Sequence, residues 1–136
     1  MQNVLGKHAS TFYALLRIVA GLMYACHGAQ KLFGVFGGFG QPGATAPLVS
    51  LMGLAGVIEF FGGLMIALGL LTSYAAFIAS GQMAVGYFMA HVPRGFWPII
   101  NQGELAVVYC FLFLYVAASG TGAWGVQSLI GGSRKA

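Results

Sequence analysis

From Leu48 to Leu71 the chain reads LVSLMGLAGVIEFFGGLMIALGLL, an apolar run broken by a single charge, Glu59. As a helix it would extend ~36 Å at 1.5 Å per residue, enough to cross a hydrocarbon core of ~30 Å. A second run, Ser73 to His91, follows almost at once. The Leu71-Thr72-Ser73 junction leaves room only for a tight turn, so the two runs should form an antiparallel hairpin. Working outward, Thr11 to Gln30 and Gly103 to Ser119 are two further runs of spanning length, within the range of about 17–25 residues. Lys31 to Pro47 is rich in glycine and proline and should be irregular. Val92 to Gln102 holds Pro93, Gly95 and Pro98 beside Phe96 and Trp97, which suits an interfacial loop anchored by aromatics. A membrane barrel needs segments of about ten residues alternating apolar and polar, and these runs are continuous instead. The expected fold is all-α: one transmembrane domain over residues 1–136, an antiparallel up-down four-helix bundle.

Composition agrees with that reading. The 136 residues are 59% hydrophobic, 14% aromatic and only 6% charged, with 22 glycines. A water-soluble domain carries about 25% charged residues; here the surface would be left with very large apolar patches. Disordered chains are polar and poor in aromatics, so disorder is excluded as well. The formal net charge of +4 comes from scattered cations (Lys7, Arg17, Lys31, Arg94, Arg134, Lys135), not from the basic face a nucleic-acid binder presents. Cys26 and Cys110 form no C-x-x-C motif and read as small buried hydrophobes, with no sequence support for a disulfide. Met1 to Ser10 is polar and lacks a small-residue cleavage site, so Thr11 to Gln30 is expected to be a retained span and not a signal peptide. An even number of spans places both termini on one side. Lys7, Arg134 and Lys135 there outnumber Lys31 and Arg94 opposite, so the termini are expected in the cytoplasm.

Arg17 and Glu59 are the charges that a membrane does not tolerate freely. A charged side chain at the bilayer centre costs about 2.5–3.5 kcal/mol on the insertion scale. Arg17 lies about 20 Å back from the loop end of the first span and Glu59 about 16 Å in from the start of the second. Their comparable depth predicts a buried Arg17–Glu59 ion pair, each offsetting the other's desolvation. Tyr13, Gly21, Tyr24, Gly28 and Lys31 fall within about 40° of Arg17 on the helix. Met52, Ala55, Gly63 and Ile66 gather around Glu59 in the same way. Small residues beside a polar group allow close helix approach in membranes.

A second polar group collects where the first and third spans end and the fourth begins. His27 and Lys31 close the first, His91 and Arg94 close the third, and Asn101, Gln102 and Glu104 open the fourth. Antiparallel helices would bring these ends together around a cavity open to one surface. His27, His91 and Glu104 are candidates for proton transfer. Lys31, Arg94, Tyr24, Tyr87 and Asn101 are candidates for binding a ligand. Phe111 and Tyr115 share the Glu104 face and would lie beneath. Each residue also has a plainer role. Lys31 and Arg94 would snorkel to headgroups, the histidines would hydrogen-bond at the interface, and Glu104 would favour a helix N-terminus. No metal, flavin or haem motif is evident, and the spacing of His27 and His91 does not support axial haem ligation.

The chain resembles the DoxX family of small bacterial four-helix membrane proteins. The resemblance rests on Leu16-Arg17 with Gly21, His27-Gly28-x-x-Lys31-Leu32 and the glycine-rich loop after it, and Glu59-x-x-Gly62-Gly63. It continues through Gly69-Leu70-Leu71-Thr72, His91, Gly95-Phe96, Asn101-x-Gly103-Glu104 and Gly120. Ser73 replaces the usual basic residue after the tight-turn threonine. The resemblance implies a multi-pass protein of the bacterial inner membrane. Through a member linked to thiosulfate:quinone oxidoreduction, and others tied to thiol-redox or oxidative-stress assemblies, it also implies a redox-associated role. More distant relatives use paired cysteines, which this chain lacks.

Two functional readings of different classes follow. In the first, the protein is a subunit of an oxidoreductase system that binds a quinone in the cavity and acts with redox partner proteins. In the alternative it is a non-catalytic scaffold, or a module that binds a lipid or small hydrophobic ligand. Homo-oligomers are expected to be compatible with either, since glycine-rich helices permit close pairing.

Overall fold

The computed structural model describes residues 1–131, and every regular element among them is helical. Arg134 and Lys135, counted above for orientation, lie outside the described residues. Four long helices dominate: α1 (Ala9–Phe33), α2 (Leu51–Leu68), α3 (Thr72–Gly86) and α4 (Glu104–Ser119). Short helical turns, Gln2–Leu5 and Gly6–His8, make up most of the polar lead into α1. With its lead-in, the first helix is long and apolar enough to cross a membrane. So are α2 and the helical stretch Thr72–Arg94, whereas Glu104–Ser119 is apolar but shorter.

Helix α1 packs most closely on α2, and α3 on α4, with a looser seam between α2 and α3. The first pair is a glycine contact. A β-carbon on Gly21 would stand 2.7 Å from the Gly63 carbonyl, and one on Gly28 would stand 2.7 Å from the Gly56 carbonyl. Helix backbones touch directly at both levels, which is how membrane helices gain van der Waals contact without a hydrophobic driving force. The contacts also fix the register: α1 and α2 run antiparallel, Gly21 opposite Gly63 and Gly28 opposite Gly56. Aromatic rings bridge α1 to α4, with Tyr24 against Phe113 (centroids 4.8 Å apart) and against Tyr109 (5.7 Å). Ser80 donates to the Cys110 carbonyl at 2.7 Å and ties α3 to α4.

Helix ends follow local chemistry. Ser50 caps α2, its Oγ accepting from the Gly53 N–H at 3.0 Å. Gly69 ends α2 at φ +73°, a left-handed conformation that glycine adopts without strain. A β-carbon there would also stand 2.5 Å from the Gly125 Cα. The turn from Gly69 to Leu71 is as tight as the sequence requires. Helix α3 does not end cleanly: Tyr87–His91 forms a π turn, in which the Val92 N–H reaches back to the Tyr87 carbonyl, and Val92–Arg94 a 3₁₀ turn. Pro93 accounts for this, because its ring has no N–H and clashes with an α-helical carbonyl one turn back.

Candidate functional site

Arg17 and Glu59 occupy two separate polar centres, so the expected Arg17–Glu59 pair is not formed. The glycine register explains why. Arg17 lies level with Ala67 and Glu59 level with Ala25, roughly 12 Å apart along the helix axis.

Arg17 is fully buried and is held by backbone alone. Its Nη1 donates to the carbonyls of Ile66 (2.5 Å) and Ala67 (2.8 Å), and Nη2 donates to that of Ala123 (3.1 Å). The first two belong to the last turn of α2, where carbonyls lack the donor four residues on, although that of Ile66 also accepts from the Gly69 N–H at 3.2 Å, and where the helix dipole favours a cation. Around it, Tyr13 donates to the Gly120 carbonyl at 2.6 Å, Thr72 and Thr121 hydroxyls meet at 3.0 Å, and the Gln127 N–H donates to the Gly69 carbonyl at 3.1 Å. The chain after α4 thus closes this end of the molecule over Arg17.

At the other end the buried charge faces a cavity. Glu59 accepts from Lys31 Nζ at 2.5 Å on one carboxylate oxygen and from Gln82 Nε2 at 3.0 Å on the other. Gln82 in turn accepts from the Tyr24 hydroxyl. These groups line a cavity of about 270 Å³ together with His27, His91, Tyr109, Gln102 and apolar residues of α2, α3 and α4, among them Met52, Met83 and Leu105. His27 meets Tyr109 edge to face, centroids 6.4 Å apart. The Tyr109 hydroxyl is buried and has no hydrogen-bond partner among the described residues. A buried phenol normally finds one.

Four of the sequence candidates therefore share this cavity wall with Glu59: Tyr24, His27, Lys31 and His91. His91 reaches it through the π turn. On an uninterrupted α-helix it would share the Ser80 face, which is turned toward α4. The wider turn advances less per residue and swings His91 toward the side of Met83 and Gly86. Its Nδ1 lies 3.1 Å from the Asn101 carbonyl and 3.3 Å from Arg94 Nη2.

The remaining candidates lie elsewhere. Glu104 is exposed in the first turn of α4, about 150° around the helix from the direction shared by Leu105, Ala106 and Tyr109. Phe111 and Tyr115 are outward with it, and the aromatics beneath the cavity are Tyr24, Tyr109 and Phe113 instead. Arg94 is exposed and bonds back to its own turn. Tyr87 and Asn101 are buried as supports of the loop. Asn101 Nδ2 donates to the Gly95 carbonyl at 2.6 Å, its Oδ1 accepts from the Gly103 N–H at 2.8 Å, and the Tyr87 hydroxyl donates to the Phe96 carbonyl. Gln82 and Tyr109 were not singled out in the sequence. A neutral amide in the middle of an apolar run was the available signal for Gln82, whereas nothing distinguished Tyr109 from the other aromatics.

An apolar helical molecule with a polar cavity at one end defines a class of membrane protein. Residues 12–92 match the DoxX family model. A protein of Haemophilus influenzae described as "Uncharacterized protein" is 45% identical over 133 residues, covering 93% of this chain and 96% of its own length. The chain belongs to the DoxX family. No solved structure matches it.

Proposed function

We propose that this protein binds the polar head of a lipophilic carrier of the quinone class in the Lys31–Glu59 cavity. The carrying observation is the largely buried Lys31–Glu59 ion pair on the wall of a cavity that Tyr109 also lines, its hydroxyl buried and without a partner among the described residues. That hydroxyl is a donor, and the Lys31 ammonium, with one proton directed at Glu59, has further donors available. Two donors beside apolar walls fit a ligand that offers a carbonyl oxygen, as a quinone does. His27, His91 and Glu59 are the groups positioned to exchange protons with such a ligand, and a redox partner protein supplies the electrons. The setting is a four-span antiparallel bundle in the bacterial inner membrane with cytoplasmic termini, competent to form homo-oligomers. The scaffold or lipid-binding alternative draws on Phe36, Val49, Ile99 and Ile100, large apolar side chains exposed on the two loops beside the cavity.

The test is a titration of the reconstituted protein with a short, head-only benzoquinone, read by quenching of Trp97 fluorescence in a Trp124→Phe background. Tyr109→Phe and Lys31→Met should each weaken binding about tenfold, equivalent to about 1.4 kcal/mol. Equal affinities in all three proteins would remove the reading and leave the scaffold alternative.

A further inference from the structure

An apolar cleft of about 370 Å³ runs along the seam between α2 and α3. It shares Met52, Ala55, Gln82, Gly86 and Ala90 with the polar cavity, so the two spaces meet at a common wall. We infer that the cavity is loaded sideways from the lipid phase, the ligand's apolar tail remaining in the α2/α3 cleft while its head reaches Lys31 and Glu59. This rests on the reading that the cavity holds the head of a membrane-dissolved ligand.

Adjacency is the first argument. The cleft walls are apolar apart from Gln82, which lines both spaces and donates to Glu59, so the one polar residue of the cleft lies on the shared wall. Space is the second. Gly81 and Gly86 sit along α3 where an added β-carbon would meet nothing within 4 Å, unlike Gly21, Gly28 and Gly63, which press on backbone. The α3 glycines therefore press on no neighbouring helix, and they leave room on the cleft side of α3. Packing is the third. The α2/α3 seam is looser than the α1/α2 and α3/α4 contacts beside it, so an alkyl chain inserted there displaces no close helix contact. A cavity of about 270 Å³ falls just below the usual range of roughly 300–1,000 Å³ for small-molecule sites, so a head group fits it and a tail needs other space.

The experiment compares a head-only benzoquinone with its decyl derivative on reconstituted protein and on Gly81→Phe, a position that lines the cleft alone. Blocking the cleft should weaken the decyl compound at least about tenfold while the head-only compound binds as before. Decyl binding within about twofold of the unsubstituted protein overturns the inference. A second arm does not depend on quinones: a long-chain alcohol with a diazirine beside its hydroxyl, photolysed in the bilayer. Labelling of Met83, which lines the cavity and not the cleft, and its loss in Gly81→Phe, supports sideways loading. Label confined to Ile78 and Val85 means that an ordinary bilayer chain lies in the cleft, and overturns it. If no quinone binds but Met83 is labelled, the quinone reading falls and the lateral route stands.

Discussion

Arg17 and Glu59 are both buried charges packed among the same apolar helices, yet they are stabilised in opposite ways. Arg17 has no carboxylate; backbone carbonyls at the end of α2 and from the segment after α4 surround it, and that segment closes over it. Glu59 has a counter-charge, an amide and open space. The first arrangement uses both terminal guanidinium nitrogens to join three parts of the chain, and leaves the buried Nε as its one nitrogen without a partner among the described residues. The second keeps capacity in reserve, since the lysine and the Tyr109 phenol both retain donors. The charge sealed in by backbone ties the chain together; the charge beside the cavity is the one on which the proposed function rests.

That contrast is open to attack at several strengths. The largest effect should come from Arg17→Leu, which strands the α2 terminal carbonyls and releases the closing segment: a loss of about 3–5 kcal/mol, as for breaking a buried charge arrangement. Unfolding by denaturant in mild detergent measures it. Arg17→Lys should recover only part of the loss, because one ammonium cannot reproduce the guanidinium fork. Gly28→Ala should cost about 1–3 kcal/mol in the same assay by forcing α1 off α2; an unchanged midpoint would mean that the helices are not in backbone contact. Lys31→Met should cost about 1–3 kcal/mol by leaving Glu59 short of a partner. The Lys31→Met/Glu59→Gln double variant should lose less than the sum of the two single changes, and strict additivity would refute the pair. Smallest of all, Tyr109→Phe should move stability by less than about 0.5 kcal/mol, since the hydroxyl it removes makes no bond. If that variant unfolds readily, the phenol is structural.

Hydropathy was enough to locate the helices, because each stretch long enough to span a bilayer had to pair its backbone internally. It was also enough to bring Tyr24, His27, Lys31 and His91 toward one end. The partner of Glu59 was not legible by counting from loop ends. Helix α2 begins at Leu51 and not at Leu48, and the glycine contacts, not the loop lengths, set which residues face each other. Lys31 stood on the Arg17 face of the first helix all along, and its long side chain reaches back toward the level of Ala25 to meet Glu59. Glu104 misled for a different reason. An acid at a helix start satisfies the dipole from any side, so its presence said nothing about which way it points. The rotation given to His91 by the π turn had a sequence signal in Pro93, but the size of that rotation depends on how the following loop is anchored by Asn101.

The glycine contacts have a mechanical consequence. They bind α1 and α2 into one stiff plate, and α3 with α4 forms a second, joined to the first by a tight hinge at Gly69–Leu71 and by aromatic rings. The boundary between the plates therefore coincides with both spaces described above: the apolar cleft lies along the α2/α3 seam, and the polar cavity is lined from both plates.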